Sequence, residues 1–441
     1  MSSFVRTSKY RHVFADAPKN DLSFSQLRSS TVTGDQSYIK GNGKFFALAV
    51  QGGGGPFAVV DMTKPGKQPI DLPVIAGHSG ATLDFDFNPF HDHMIASGSD
   101  DQTVKVWGIP EGGLTENITE PLVDLHGHGK KVTLVKHHPT AASVLLSASA
   151  DHTVKLWDIE KGSEINTVTG CHPELIQDVA WNYSGNTYAT SCKDKKVRFV
   201  DARGATVTSI DGAHEGAKSV KMTYLGAQEQ LLTVGFTKQS MRQFKIWDPR
   251  NLSKELKKMD IDQGSGVIMP FFDADTSILY LAGKGDGNIR YYEIVGENCQ
   301  DIFVINDFKS SVSTKGAAWI PKTSMNVSKC ETARILKLSV TNNHTTVEPL
   351  CFTVPRKSET FQDDIYPDTP GTVAAHTADE WLGGSDKTPI LTSMNPAIAG
   401  TSSSQVTFVP KKNALQLQAE LDIANTRIAE LEAKLAAAGI A

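Results

Sequence analysis

The sequence predicts an all-β fold: a seven-bladed β-propeller followed by a C-terminal extension and a short coiled-coil helix. Two observations carry this prediction. A strand, turn and strand pattern recurs at roughly 45-residue intervals, which is the period of propeller blades. From residue 413 onward the apolar residues change to alternating spacings of three and four, which is the period of a coiled coil.

Each predicted blade carries one motif: a run of small residues, an Asp in a tight turn and an alternating apolar strand. The two clearest copies span residues 97–107 and 147–158 and read SGSDDQTVKVW and SASADHTVKLWD. The copies close at residues 61, 108, 158, 201, 248 and 293, with intervals of 47, 50, 43, 47 and 45 residues. Six registers and a fading seventh after residue 293 predict a closed ring of seven blades.

Each clear copy also contains a His, a Ser, an Asp and a Trp that can form one hydrogen-bonded chain from turn to strand. The predicted sets are His78, Ser97, Asp101 and Trp107 in one blade and His128, Ser147, Asp151 and Trp157 in the next. A third copy has His172, Thr190 and Asp194, with Val200 in place of the Trp. A catalytic Ser, His and Asp triad is needed once and in one cleft, whereas this trio repeats, so we interpret these residues as structural.

Composition excludes several classes of protein. The 441 residues carry a formal net charge of −5, without the basic character typical of nucleic-acid binding. The first residues lack the apolar core of a signal peptide, and no run of about 18 apolar residues occurs, so a soluble protein is expected. Five cysteines without a Cys-x-x-Cys pair predict neither disulfides nor a zinc site and favour a reducing cytoplasm. We expect no cofactor and no metal.

Several segments resemble the coronins, a family of actin-associated WD-repeat proteins. These segments share their order with the family and lie at residues 8–14 (SKYRHVF), 110–115 (PEGGLT), 192–195 (CKDK), 281–292 (LAGKGDGNIRYY), 354–358 (VPRKS) and 366–369 (YPDT). The resemblance runs from about residue 5 to residue 390. It implies actin filaments and the actin-nucleating complex of actin-related proteins as partners, and a location in the cytoplasm at the actin-rich cell cortex.

The first 44 residues hold seven basic and three acidic side chains, a net charge of +4. The family places a basic actin contact in this segment, and Arg28 matches its position. Lys9, Arg11 and Lys19 are predicted to help, although an ordinary solvated charge is the competing interpretation of Arg28. The polar and apolar alternation of residues 8–15 predicts that a strand over Lys9–Phe14 closes the last blade.

The final segment is predicted to oligomerise. Heptad positions a fall at residues 414, 421, 428 and 435, and positions d at 417, 424, 431 and 438. The core residues of interest are Leu417, Leu421, Ile428, Leu431 and Leu435. Arg427 and Glu432 fall at g and e, where they can pair between helices, and the run over 427–432 resembles the trimer-favouring motif of coronin tails. A trimer is preferred, a dimer or tetramer stays open, and a single helix docked on the propeller is the alternative.

The predicted domains are the propeller at 1–354, an extension packed on it at 355–395, a linker at 396–412 and the coiled coil at 413–439. Nothing in the sequence supplies an enzyme site, so a binding protein is expected. Copies joined by the predicted coiled coil are expected to bundle filaments, and the resemblance to the coronins implies that the tail restrains branching. Two other classes stay open: a WD-repeat adaptor without filament binding, and a peripheral protein whose basic N-terminal segment meets acidic membrane lipid.

Overall fold

Seven antiparallel sheets surround a central channel in the computed structural model, which confirms the predicted seven-bladed propeller. The structure describes residues 7–31, 34–204, 206–299, 301–342, 344–357 and 360–398, together with positions 421, 424, 425, 427 and 428. The first strand of each blade lies innermost, and most of these strands contact the first strand of a neighbouring blade, so the inner strands form the wall of the channel.

Each blade is a four-stranded meander, ordered here from the innermost strand outward. Blades 1 to 3 comprise Ile39–Gly41, Phe45–Ala49, Phe57–Asp61 and Val74–Ile75; Thr82–Phe87, Met94–Ser99, Val104–Gly108 and Val123–Leu125; and Val132–His137, Val144–Ser149, Val154–Asp158 and Ser163–Val168. Blades 4 to 6 comprise Ile176–Trp181, Thr187–Cys192, Val197–Asp201 and Val207–Ile210; Lys221–Tyr224, Leu231–Phe236, Arg242–Trp247 and Lys257–Asp262; and Ile268–Asp273, Ile278–Gly283, Ile289–Val295 and Asp301–Phe308.

The second strands are buried on both faces because blades stack on either side of them. All six residues of Met94–Ser99, Val144–Ser149, Leu231–Phe236 and Ile278–Gly283 are buried. Small residues are needed where the stacking is tight: a Cβ on Gly98 would lie 2.6 Å from Cγ1 of Val132 in the next blade. The small-residue run of the repeat motif is therefore a packing requirement between blades.

The seventh blade closes the ring with strands from both ends of the chain. Its inner three strands are Thr314–Trp319, Glu331–Thr341 and His344–Thr353, and its outer strand is Phe24–Leu27, which also pairs in parallel with Gly66–Lys67. Phe24 lies opposite Val347 and Leu27 opposite Thr345. The clasp removes the free edge that the last blade would otherwise expose.

The closing strand differs from the predicted Lys9–Phe14. Only Phe14–Ala15 is a strand there, paired with Thr353 and Phe352 at the end of the same blade. Residues 10–13 form a turn, in which the Val13 amide donates to the Tyr10 carbonyl at 3.1 Å. The alternating pattern has another cause: Val13 is buried in the core and the Tyr10 side chain packs against that core.

The extension lies across one face of the propeller. It contains the short sheet of Thr369–Pro370 and Leu391–Thr392 and the helix Ala378–Leu382, which begins with a capping box between Thr377 and Glu380. Trp381 of this helix is fully buried, with its ring 4.7 Å from His138. Single 3-10 turns occur at Asn20–Leu22, Gly226–Gln228, Glu297–Cys299, Lys322–Ser324 and Val327–Lys329. Among the described residues, no helix has the length and apolarity to cross a membrane.

Candidate binding faces of the propeller

The propeller has an upper and a lower face, which are formed by different sets of loops. The upper face carries the loops that precede each inner strand and the turns between second and third strands, such as residues 76–81 and 100–103. The lower face carries the loops that follow each inner strand, such as residues 138–143. The extension lies on the lower face: the amides of Ala375 and His376 donate to the Thr140 carbonyl, and the Arg203 guanidinium lies over the Trp381 ring at 5.7 Å.

The predicted hydrogen-bonded chain is present in blade 2. Trp107 Nε1 donates to Ser97 Oγ at 2.8 Å, and Ser97 Oγ lies 2.8 Å from His78 Nε2. His78 Nδ1 lies 2.9 Å from Asp101 Oδ2, which also accepts the amide of Ser79 at 2.8 Å. These hydrogen bonds lie beneath the upper face. They connect the loop before the inner strand to the second strand, to the turn after it and to the third strand.

Blade 3 repeats this arrangement with nearly the same distances. Trp157 Nε1 donates to Ser147 Oγ at 2.8 Å, Ser147 Oγ lies 2.7 Å from His128 Nε2, and His128 Nδ1 lies 3.1 Å from Asp151 Oδ2. Both serines are fully buried, so neither hydroxyl can reach a substrate at the surface. The geometry fits the structural interpretation of these residues.

The protonation states of the histidines and aspartates are those that the hydrogen-bonded order of Trp, Ser, His and Asp needs. Burial lowers the pKa of His78 and His128, although the neighbouring carboxylates oppose this effect. Burial acts to raise the pKa of Asp151, but hydrogen bonds from Thr153 and from the Gly129 amide outweigh it and hold the pKa at about 2. A neutral imidazole beside a charged carboxylate donates from one nitrogen and accepts at the other, which the Trp, Ser, His and Asp order requires.

The third copy departs from the predicted set. His172 Nε2 lies 2.8 Å from Thr190 Oγ1, as in the other blades. Asp194 instead pairs with Arg198, whose two terminal nitrogens lie 3.2 and 2.5 Å from its oxygens. Arg198 occupies the position that Lys105 and Lys155 hold in blades 2 and 3. Its guanidinium reaches the turn and binds the carboxylate that contacts the histidine in those blades. Burial lowers the pKa of His172 to about 4.

A fourth chain in blade 5 escaped the sequence analysis. Trp247 Nε1 donates to Thr233 Oγ1 at 3.0 Å, and that hydroxyl lies 2.9 Å from His214 Nε2. Gln243 takes the place of the Asp and lies 3.2 Å from His214 Nδ1. The sequence contains the residues of this hydrogen-bonded chain, but at a different spacing. Thr233 lies 14 residues before Trp247, whereas Ser97 lies 10 residues before Trp107, because the turn between the two strands is longer in blade 5.

A cavity of about 900 Å³ lies along the central channel and is lined by both charged and apolar side chains. Lys40 lies 3.5 Å from Asp86 and Lys221 lies 3.7 Å from Asp178, so these two cations have carboxylate neighbours. Asp86 also accepts the His137 amide at 2.9 Å and so joins blade 2 to blade 3. In the part of the chain that the structure describes, no cluster of three or more His, Cys, Asp and Glu side chains is arranged to hold a metal ion.

Among the described basic residues of the N-terminal segment, Lys9 and Arg11 lie at the opposite end of blade 7 from Arg28. Arg28 follows Leu27, which pairs with Thr345 at the upper end of blade 7. Lys9 and Arg11 precede Phe14, which pairs with Thr353 at the lower end, and Lys9 Nζ donates to the Asp364 carbonyl of the extension at 2.7 Å. Thr353 lies eight positions after Thr345 in the same strand, which corresponds to about 27 Å.

Arg28 and Lys19 are exposed. Lys19 precedes the Asn20–Leu22 turn in the loop between the two strand pairings. Within the described ranges, Arg28 has neither an ion pair nor a side-chain hydrogen bond.

Three of the predicted oligomerisation residues fall in the described part of the tail. Leu421, Arg427 and Ile428 are helical, and Leu421 and Ile428 are about half exposed. Leu417, Leu431, Glu432 and Leu435 lie outside the described residues, so their role stays a prediction.

Sequence profiles match the first half of the propeller and the segment where the propeller meets the extension. A WD domain, G-beta repeat profile matches residues 71–108, 119–158 and 162–201, and a profile described as a type of WD40 repeat matches residues 347–389. A domain of unknown function matches residues 3–67, which include the closing strand.

The chain is also similar to known proteins over nearly its whole length. It is 41% identical to Coronin-A of Dictyostelium discoideum over 443 residues, covering 99% of this chain and 97% of that protein. It is 42% identical to the coronin-like protein of Saccharomyces cerevisiae, covering 91% of this chain and 62% of that longer protein.

Solved structures agree with these relatives. The crystal structure of the WD40 domain from Toxoplasma gondii coronin superposes with a TM-score of 0.82 at 32% identity, covering 88% of this chain and 98% of that domain. A chain of the mitotic checkpoint complex, at 15% identity and a TM-score of 0.56, shares the fold alone. With the sequence resemblance, the closed ring of seven blades and these matches in agreement, the chain belongs to the coronin family.

Proposed function

We propose that this chain binds actin filaments through its propeller and multiplies that binding by self-association. The observation that carries the proposal is membership of the coronin family over nearly the full length of the chain. The repeated His, Ser, Asp and Trp chains support it indirectly, because they make a rigid scaffold and leave the exposed faces for binding. The proposed activity is non-enzymatic.

Arg28 is the proposed principal contact. It is exposed at the upper end of blade 7, and among the described residues no carboxylate neutralises it. The surface of actin is acidic, and a guanidinium can bind a carboxylate with two parallel hydrogen bonds. Lys9, Arg11 and Lys19 lie elsewhere on the blade, so we propose that they add long-range attraction instead of joining the same contact.

Arg28→Ala tests this contact by cosedimentation with filaments at low and physiological salt. We expect a roughly tenfold weaker affinity, since a charge-assisted hydrogen bond contributes about 1.5 kcal/mol, and a larger loss for Arg28→Asp. Lys19→Ala is the matched control, because it removes one exposed charge from the same segment, and its effect should be small. Wild-type binding by both Arg28 variants would overturn the assignment.

The C-terminal heptads supply the second part of the proposal. Several propellers joined by one coiled coil, preferably a trimer, would engage neighbouring actin subunits together and bundle filaments. The same tail is proposed to contact the actin-nucleating complex of actin-related proteins and to restrain branching at the cell cortex. Sedimentation equilibrium at micromolar concentration tests the proposed self-association. A monomer under these conditions would exclude it.

Two alternatives remain separate from this proposal. A WD-repeat adaptor would use the same faces for another protein and leave filaments in the supernatant. Binding to acidic lipid would use the basic N-terminal segment, and flotation with phosphatidylserine vesicles tests it. The spread of Lys9, Arg11 and Arg28 over opposite ends of blade 7 disfavours the lipid alternative, because a flat membrane needs these charges on one face.

A further inference from the structure

The chain that follows Arg28 runs over the upper face as a strap, here defined as residues 28–31 and 34–38. It leaves blade 7, makes contacts on the far side of the central channel and enters blade 1 at Ile39. Gln36 Nε2 donates to the Thr133 carbonyl of blade 3 at 2.9 Å, and Asp35 accepts a hydrogen bond from Ser219 at the start of blade 5. The strap is thus attached to blades that its own sequence does not belong to.

Two lysines hold the strap without a carboxylate partner among the described residues. Lys315 Nζ donates to Ser29 Oγ at 3.2 Å and to the Ser30 carbonyl. Lys284 Nζ donates to the Gly34 carbonyl at 2.8 Å. Burial lowers the pKa of both lysines, to about 8 for Lys284, where Lys221 and Lys315 add to the effect and Asp35 opposes it.

The Tyr38 ring lies against both ammonium groups. Its centre is 4.5 Å from Lys284 Nζ and 5.8 Å from Lys315 Nζ, distances at which a cation is attracted to an aromatic face. The Tyr38 backbone has a φ of +57°, in the left-handed region that bulky residues rarely adopt. Such strain persists only where surrounding contacts fix the conformation.

Arg28 itself is held from both sides through its neighbours. Leu27 is buried in the sheet, and the Ser29 amide donates to Thr345 Oγ1 at 3.2 Å. Thr345 Oγ1 in turn donates to Ser29 Oγ at 3.0 Å, so the Ser29 hydroxyl lies between Thr345 and Lys315. The Arg28 backbone is therefore fixed while its side chain is exposed.

We propose that Lys315, with Tyr38 and Thr345, is a positioning residue that holds the Arg28 backbone in the orientation needed to bind a filament. This inference rests on the proposed function. A preorganised backbone lowers the entropy lost on binding, so Lys315 strengthens the Arg28 contact without touching the partner.

The first measurement requires no partner. Trypsin cleaves after Arg28 only when the chain there leaves its fixed conformation, and mass spectrometry follows the cut between Arg28 and Ser29. Lys315→Met should accelerate this cut at least fivefold, Lys315→Arg should keep the wild-type rate, and Lys218→Met, which removes another upper-face lysine, should also keep it. An unchanged rate in Lys315→Met overturns the proposal.

The second measurement is a double-mutant cycle in filament cosedimentation. Lys315→Met alone should weaken binding by about fivefold, and it should have little further effect when Arg28 is already Ala. Independent, multiplying losses would mean that Lys315 contacts the partner directly, which contradicts a positioning role. Thr345→Val changes neither charge nor volume appreciably, so it repeats the cycle if Lys315→Met does not fold.

The two measurements separate the inference from the function on which it rests. If Arg28→Ala binds like wild type, the proposed actin contact fails, while the protease rate still decides whether Lys315 holds the strap. If Arg28→Ala weakens binding and Lys315→Met does not, the contact stands and the positioning role is overturned.

Discussion

At the scale of single residues, the buried serine hydroxyls of the Trp, Ser, His and Asp hydrogen-bonded chains should contribute most to the stability of the blades. Ser97 Oγ has a Trp on one side and a His on the other, so one atom serves two buried polar partners. Removing it leaves two buried groups unsatisfied, and each costs more than the hydrogen bond contributed.

Ser97→Ala should therefore lower the free energy of unfolding by about 2–4 kcal/mol. Urea denaturation measures this, and Ser147→Ala should have a similar cost in blade 3. Ser79→Ala is the control, because Ser79 is exposed beside the same carboxylate and its loss should cost less than about 0.5 kcal/mol. Equal effects at residues 79 and 97 would mean that the chain does not stabilise the blade.

Acid sensitivity should follow from the buried histidines. Burial lowers the pKa of His138 and His214 to about 3 and that of His172 to about 4. Below pH 6.5 these histidines bind protons in the unfolded chain but not in the folded chain. The neutral histidines therefore contribute their full stabilisation above pH 6.5, and this stabilisation is lost as the pH falls toward 4. Urea titrations at pH 7.5, 6 and 5 should show little change above pH 6.5 and, below about pH 6, a loss that approaches about 1.4 kcal/mol per pH unit for each histidine. Stability that rises on acidification would contradict this expectation.

The sequence predicted the residues of these chains well where the spacing repeats and poorly where it drifts. His78, Ser97, Asp101 and Trp107 were found because two blades share one register. Asp194 was assigned to His172 although Arg198 competes for it, and charge competition of this kind depends on side-chain reach, which a linear motif does not show.

At the scale of elements, the closure of blade 7 depends on two N-terminal contributions of unequal size. Residues 7–15 add the short pairing of Phe14–Ala15 and the Tyr10 and Val13 side chains, whereas Phe24–Leu27 is a full outer strand. The sequence indicated the clasp but placed it one element too early, because the alternation at 8–15 is stronger than the signal at 24–27.

Two nested truncations separate these contributions. A chain that begins at residue 16 should melt a few degrees below wild type, since it loses the Val13 burial and the short pairing. A chain that begins at residue 29 should lose much more, because the seventh blade then exposes an open edge. Equal melting temperatures for all three chains would mean that the clasp contributes nothing to stability.

The extension should depend on one aromatic side chain. Trp381→Ala removes a fully buried ring that lies against His138 and under Arg203, a change that costs about 3–5 kcal/mol in protein cores. We expect the extension to detach, with faster proteolysis over residues 370–390. Leu382→Ala is the neighbouring control on the exposed side of the helix and should behave like wild type. Unchanged proteolysis in Trp381→Ala would show that the extension is held elsewhere.

At the scale of the whole molecule, the seven blades were predictable because the period is long, repeated and physically specific. The separation of Lys9 and Arg11 from Arg28 was not, since it depends on how one strand of blade 7 spans the propeller from face to face. The extension lies on the lower face, and we propose a principal contact on the upper face and a tail that joins copies of the chain.

The most direct test of this account is cosedimentation with actin filaments of the full chain beside a chain that ends at residue 410, each at low and physiological salt. We predict that the full chain pellets, that its affinity falls as salt rises, and that the shorter chain loses most of the apparent affinity. If neither chain pellets at low salt, the proposed filament binding is contradicted.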